Sequence, residues 1–421
     1  MASRNGLVIA IAAIGILSAG AVSTANAQGA GCTGGGKISK QIAKPMAAAQ
    51  DAMKAKRWQE VLTKTREAES VPGAKSQFDQ YWMSEFRGYA YHNLRQTAEA
   101  ARELENGLNS PCMPESGKLE RYKALVGLYS SLRNYPKVID YGNRALKVTR
   151  DADMQVAVAQ AYYQSGNNKD AVRVMNELLA QFEQSGTKPK EQQLLLVQAA
   201  CSKVNDNNCV SKVFEKLVQF YPKPEYWQNL MIALKQTDTN DLQTLNVLRL
   251  AAYVKVLKKG DDYKEMAQLA LEEKLAGEAQ AVLEMGFTNK AFVDDRQVSV
   301  NTRLLEAAKK EAAVDKAALP KNEAAAKTAK TGDGDLKVGA QYLGFGDPVK
   351  AVEALQRGIG KGGIAQGATP EQQAQKADEA SILLGIAHLK NNNKAEAAKA
   401  FRSVKRDPTM ARIAKLWLLN T

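Results

Sequence analysis

The sequence predicts an all-α protein, an α-solenoid of stacked antiparallel helix–turn–helix repeats. Three observations carry this. A six-position pattern recurs along the 421 residues, apolar residues follow helical spacing, and no run alternates as a strand would. The pattern is clearest at Ala159, Tyr162, Gly166, Ala171, Met175 and Leu178, with offsets of 3, 7, 12, 16 and 19 from the first residue. These positions read as small, aromatic, turn, small and two apolar.

Other copies are Gly88, Tyr91, Arg95, Ala100, Leu104, Gly107 and then Val126, Tyr129, Arg133, Val138, Gly142, Ala145. Gln198, Cys201, Asn205, Val210, Phe214, Leu217 follow, with two late copies opening at Gly339 and Gly385. A weaker copy, with Ala49, Ala52, Lys56, Val61 and Ala68, comes first. Small residues let paired helices approach, and the aromatic fills the wedge towards the next pair. Gly166-Asn167-Asn168 supplies a helix stop, where left-handed backbone is cheap for Gly and Asn. Pro72, Pro222 and Pro408 each follow a second helix, where proline closes one hairpin and opens the next. No hairpin buries its apolar stripe alone, so the copies must stack.

This succession resembles the tetratricopeptide repeat family, in the form of an exported bacterial-type member. The Cys201 copy departs from it, with Cys209 across the turn, and is similar to the bridged hairpins of Sel1-like secreted proteins. The organisation expected is a signal peptide over 1–27, repeats over 28–225, divergent helical repeats over 226–300, an Ala/Lys-rich helical bridge or linker over 301–337, and further repeats over 338–421.

Residues 1–27 have a short polar start with Arg4, an apolar run from Leu7 to Leu17 and an Ala25-Asn26-Ala27 ending, the layout of a cleaved secretory signal. The run is too short to span a bilayer. The expected compartment is therefore periplasmic or extracellular. There an even number of cysteines suggests disulfides. Spacing favours Cys201–Cys209, across the Asn205–Asn208 turn, and Cys32–Cys112, joining a glycine-rich tail to a proline-rigid loop.

Of the formal charge of +13, a net +6 lies between Lys37 and Arg66 and a net +5 between Lys376 and Lys415. Such ends attract anionic surfaces. Export argues against nucleic acid as the partner.

No catalytic, cofactor or metal site is expected. Two histidines, His92 and His388, exclude a three-histidine centre. Ser185-Gly-Thr-Lys188, Ser165-Gly-Asn167 and Lys330-Thr-Gly332 match the short motifs of penicillin-recognising enzymes. However, Ser185 stands in a Gly/Pro loop rather than opening a helix, and Lys330 in a helical stretch. Gly358 to Gly363 lacks the strand and the Ser or Thr of a phosphate loop, and Asp333-Gly-Asp335 lacks the later ligands of a calcium loop.

The function expected is a non-catalytic scaffold holding a peptide or protein partner of the cell envelope. The family resemblance implies that the first helix of each pair lines a concave binding side. Carried over, that side holds Trp82, Glu85, Tyr89, His92 and Asn93, then Lys123, Ser130 and Ser131, then Gln160, Tyr163 and Gln164. The alternative is a structural envelope component, associating with an anionic membrane or polymer-export machinery through the basic ends.

Overall fold

The turn position of the repeat frame shows most directly how this chain folds. A computed structural model describes residues 32–33, 36–236 and 239–421; the expected signal peptide lies outside them. At offset 7 of all seven copies the backbone is left-handed, at Lys56, Arg95, Arg133, Gly166, Asn205, Gly346 and Asn392, with φ from 54° to 84°. The next residue turns its N–H back to the offset-3 carbonyl, as from Gln96 to Tyr91 (2.9 Å), Asn167 to Tyr162 (2.8 Å) and Asn393 to His388 (2.8 Å). This bond satisfies a carbonyl orphaned at the helix end. Lys and Arg take the position as well as Gly, at about 1 kcal/mol or more of backbone strain.

The small first position has an equally specific cause. A Cβ on Gly88, Gly339 or Gly385 would lie 2.6, 2.6 and 2.4 Å from Leu104, Leu355 and Phe401 respectively. In each case the intruder is the offset-16 residue of the same copy. Ala159 and Ala171 of the clearest copy are both fully buried.

The described residues include no strand, and they form two compact units, one ending at Asn205 and the other running from Asp206 to Thr421. Unit 1 contains α1 (Ala43–Lys54), α2 (Trp58–Ser70), α3 (Gln77–Asn93), α4 (Thr97–Asn109), α5 (Lys118–Ser131), α6 (Tyr135–Leu146), α7 (Ala152–Gln164), α8 (Asn168–Ser185) and α9 (Glu191–Lys203). Each of α1 to α8 packs on its successor, and α1 touches α3, α5 touches α7 and α7 touches α9. First helices therefore lie side by side, as stacked hairpins require. The disulfide Cys32–Cys112 (Cα–Cα 4.8 Å) ties the entering tail to the loop after α4, as the spacing predicted. No cysteine is free, and Cys201 and Cys209 are also oxidised.

Unit 2 contains α10 (Asn207–Phe220), α11 (Pro224–Lys235), α12 (Asp241–Tyr253), α13 (Gly260–Glu272), α14 (Ala276–Thr288), α15 (Asp295–Thr328), α16 (Asp333–Gly344), α17 (Pro348–Lys361), α18 (Pro370–Lys390), α19 (Lys394–Arg402) and α20 (Pro408–Leu418). Pro224, Pro348, Pro370 and Pro408 each start a helix, where a missing N–H costs nothing. One further copy of the frame, Ala267, Ala270, Lys274, Ala279, Leu283 and Gly286, joins α13 to α14. Its residues are buried except the turn, where Lys274 has φ 60°. An Ala in the aromatic place and a Lys at the turn hide this copy in the sequence. The 34-residue α15 runs through Pro320 and packs on α14 and α16 through Asn301, Ala308, Ala312, Leu319 and Ala326, a near-heptad seam of mostly small residues.

Within unit 2, α14 touches α16, α16 touches α18, α18 touches α20, and α20 touches α12. Arg249 of α12 completes the circuit by bonding both oxygens of Glu278 on α14, each at 2.8 Å. Five inner helices thus close a ring. Gly344 and Gly277 permit the α14–α16 approach, since a Cβ on either would strike the Glu278 backbone (2.8 Å) or the Phe345 ring (2.5 Å).

Candidate functional site

The residues expected on the first-helix face of unit 1 occupy equivalent repeat positions. His92, Ser130 and Tyr163 stand four residues after the first frame position, and Asn93, Ser131 and Gln164 five after it. Asn93, Ser130, Ser131, Gln160 and Gln164 are exposed, and His92 and Tyr163 half-buried. Ser130 and Ser131 donate to the carbonyls of Val126 and Gly127 in their own helix, leaving hydroxyl lone pairs for a partner.

The more N-terminal residues of the set are engaged within the protein. Trp82 packs edge-on against Phe78, Tyr81 and Phe86 and against the Ile42–Met46 cluster of the first hairpin. Tyr89 meets Trp58 edge-to-face at 5.4 Å. Glu85 is buried and paired with Arg121 of α5, so it lies inside the stack and not on its surface. Partial burial opposes the charge on Lys123, but Glu120 (3.3 Å) and Asp151 (3.5 Å) outweigh it and hold its pKa raised.

A tyrosine stack behind this face was not evident from the sequence. Tyr122, Tyr141 and Tyr129 lie nearly parallel at 6.3 and 6.0 Å, and Glu105 of α4 accepts from Tyr129 (2.6 Å), Tyr141 and Lys137. Burial would raise the Glu105 pKa, but the three donors lower it. Burial and that same carboxylate raise both tyrosine hydroxyls. The cluster locks α4, α5 and α6 together and leaves no acid or base poised for transfer.

Beside this ring lies a solvent-open cavity of ≈ 180 Å³, lined by residues of α12, α13, α14, α16 and α18 and by Trp417 of α20. On α18 the lining stripe is Leu383, Ile386 and Lys390, and on α14 Glu278, Val282 and Met285, each at helical spacing. Arg249 anchors the wall. It bonds Glu278 on one side and Glu379 of α18 at 2.9 Å on the other. Burial disfavours its charge, and the two carboxylates outweigh that and keep its pKa raised. A sequence signal existed: Arg249 is the sole charge between Leu242 and Tyr253. A second cavity of ≈ 210 Å³ shares Ala340 and Leu383, and its Lys376 is matched by Glu273 and Glu379.

A polar clamp closes the ring further along. Asn240 donates to Gln375 (3.0 Å), and Gln243 and Gln375 both donate to Asp407 (3.2 Å), which caps α20. Asp378, fully buried, accepts the backbone N–H groups of Arg406 (2.7 Å) and Asp407 (2.8 Å).

Ser185 ends α8 and bonds Thr187 (2.8 Å), and Lys330 lies just after α15, so neither has the setting its motif requires. His388 is buried in α18, where desolvation lowers its pKa. Among the described residues no three His, Cys, Asp or Glu side chains gather as metal ligands, and no helix is long and apolar enough to cross a membrane.

Residues 341–411 match the family model for the tetratricopeptide repeat. No curated protein matches the chain. Among solved structures, a tetratricopeptide repeat protein from Parabacteroides merdae is 11% identical, with 64% of this chain and 100% of that one covered at a TM-score of 0.32. The C-terminal part of a TPR repeat-containing protein from Cytophaga hutchinsonii is 12% identical, covering 62% and 94%, TM-score 0.34. The TPR2AB domain of yeast Sti1, solved in complex with pHSP90, is 13% identical, covering 72% and 98%, TM-score 0.25.

Proposed function

We propose that this chain, a tetratricopeptide repeat protein, is an exported, non-catalytic scaffold that binds a peptide or protein partner on the first-helix face of unit 1. One observation carries the reading. The accessible polar residues of α3, α5 and α7 fall at equivalent repeat positions, so stacking sets them in rows along adjoining helices. Rows of amides and hydroxyls beside half-buried Tyr163 and His92 suit an extended chain, which needs backbone hydrogen bonds and a few aromatic anchors. The oxidised cysteines fit an exported protein.

The test is site-specific photo-cross-linking in intact cells. A photoreactive residue in place of Gln160 should capture a discrete partner, and one in place of Lys169, exposed on the second helix, should not. Equal capture at both, or none at either, refutes the reading. A second reading, contact with an anionic surface, draws on the exposed bases Lys37, Lys40, Lys44, Lys56 and Arg66, which have no ion pair among the described residues. It requires vesicle or polymer binding that falls steeply between low and physiological salt.

A further inference from the structure

We propose that the outward face of α15 docks an acidic amphipathic helix of a partner protein. This face shares no residue with that of unit 1 and does not depend on it.

The 34-residue α15 turns one side to its neighbours and leaves the other open. The inner side is the seam from Asn301 to Ala326, against α14 and α16. On the far side Val300, Ala307 and Val314 recur every seven residues, and Arg296, Arg303 and Lys310 each stand four residues before one of them. The intervals run four, three, four, three, four, the spacing that keeps a stripe in line where one helix meets another. All six residues are exposed, Val300 by 41% and Val314 by 65%. Lys321, also exposed, takes the next apolar place, just past Pro320.

The cations of this helix divide by face. Off the stripe, Lys309 pairs with Glu284 (3.1 Å), Lys327 pairs with Glu323 (3.0 Å), and Lys316 stands 6.0 Å from the centre of the Phe345 ring. On the stripe, Arg296, Arg303, Lys310 and Lys321 have no ion pair among the described residues. No acid lies on the stripe, and Glu306 and Glu311 beside it pair with none of the four. Such a row attracts carboxylates set at matching intervals and repels other cations.

The apolar positions then set the form of the partner. Val and Ala between the cations are small enough for a second helix to approach to about 8–10 Å. They offer no large side chain to enter a lipid leaflet, where Trp, Phe and Leu anchor interfacial helices. A second copy of the chain, in either direction, would set cations against cations. The remaining fit is a helix with an apolar seam flanked by Asp or Glu, since flanking charges select the partner in helix pairs.

The full chain is titrated with two labelled synthetic helices of three heptads, followed by fluorescence anisotropy. Both carry Leu at a and d; one carries Glu at e and g, the other Lys. The Glu helix should bind, and more weakly as salt rises from low to physiological strength, and the Lys helix should not. Arg303→Glu with Lys310→Glu should invert that preference. Both side chains are exposed and unpaired, so the urea midpoint of this variant should match that of the native chain. Arg303→Gln with Lys310→Gln should weaken the Glu helix about tenfold without admitting the Lys helix. Equal binding of the Glu helix by the native and charge-reversed chains, or binding by neither, overturns the proposal. So does a native chain that holds phosphatidylglycerol vesicles, or dimerises in sedimentation, through the same two cations without binding the Glu helix; those results assign a lipid surface or a second copy. None of them touches the Gln160 cross-linking test.

Discussion

In unit 1 the buried ion pair Glu85–Arg121 joins neighbouring hairpins across 36 residues of sequence, whereas in unit 2 Arg249 reaches Glu379 across 130 and Gln243 reaches Asp407 across 164. Arg412 of α20 even returns to Glu215 and Ser211 of α10, 197 and 201 residues back. Both units are built from the same hairpin. In unit 1 each hairpin answers mainly to its neighbours, so stability is close to a sum of local terms. In unit 2 polar partners at the two ends close the array, and its helices must form or open together. An array stays open by default and closes only where its ends carry matched groups.

The largest expected effect tests that closure. Arg249→Met leaves half-buried Glu278 without its cation and buried Glu379 with Lys376 alone, and should cost about 3–5 kcal/mol. Hydrogen exchange should then rise in α12, α14 and α18 at once. Arg121→Met should accelerate exchange only from α3 to α5. If both variants loosen only their immediate neighbours, the two units do not differ in the way described.

Next comes the tail. Replacing Cys32 and Cys112 together by Ser frees a loop spanning 80 residues and should cost about 2–4 kcal/mol. The loss should register in unit 1 amides alone, so a matching loss in unit 2 would blur the comparison.

A smaller effect concerns the hairpin that both units share. Ala171→Leu should overpack the α7–α8 crossing and cost about 1–3 kcal/mol, while exposed Lys169→Leu should cost less than ~0.5 kcal/mol. Equal urea midpoints for the two variants would displace the repeat frame.

The narrowest effect is set by pH. Asp79, fully buried, accepts from the Ser39 backbone (2.8 Å) and hydroxyl and from the Ser76 backbone (3.0 Å). Burial alone would raise its pKa, but these donors outweigh burial and hold it below the ordinary 3.8. Its contribution is therefore complete above that value and lost as pH falls through the lower, folded one. Urea unfolding of the native chain should weaken over that acid range more steeply than that of Asp79→Asn. Parallel curves would remove Asp79 as the cause.

Much of the fold was legible because its determinants are local. Gly88, Ala159 and Gly385 advertise close helix approach, and the left-handed turns at Gly166 and Asn205 are in plain sight. The α13–α14 copy was not legible, because Lys274 accepts the strained turn and Ala270 replaces the aromatic. Of the candidate face, the repeat position of Gln160, Tyr163 and Gln164 could be read, but the fate of Glu85 could not. A glutamate on a first helix looks the same whether it meets solvent or an arginine 36 residues on.

The sequence by itself determined the helices and the pairing of the clear copies, which depend on spacing within each hairpin, and it pointed to Cys32–Cys112 as the pair left once Cys201 and Cys209 face each other across one turn. Only the tertiary structure decided that α12 meets α20, that Arg249 is shared by Glu278 and Glu379, and that Trp417 and Lys390 line one cavity. These contacts join residues tens to more than a hundred apart. Their geometry comes from the small rotation added by each hairpin, and that sum leaves no periodic trace in the order of the amino acids.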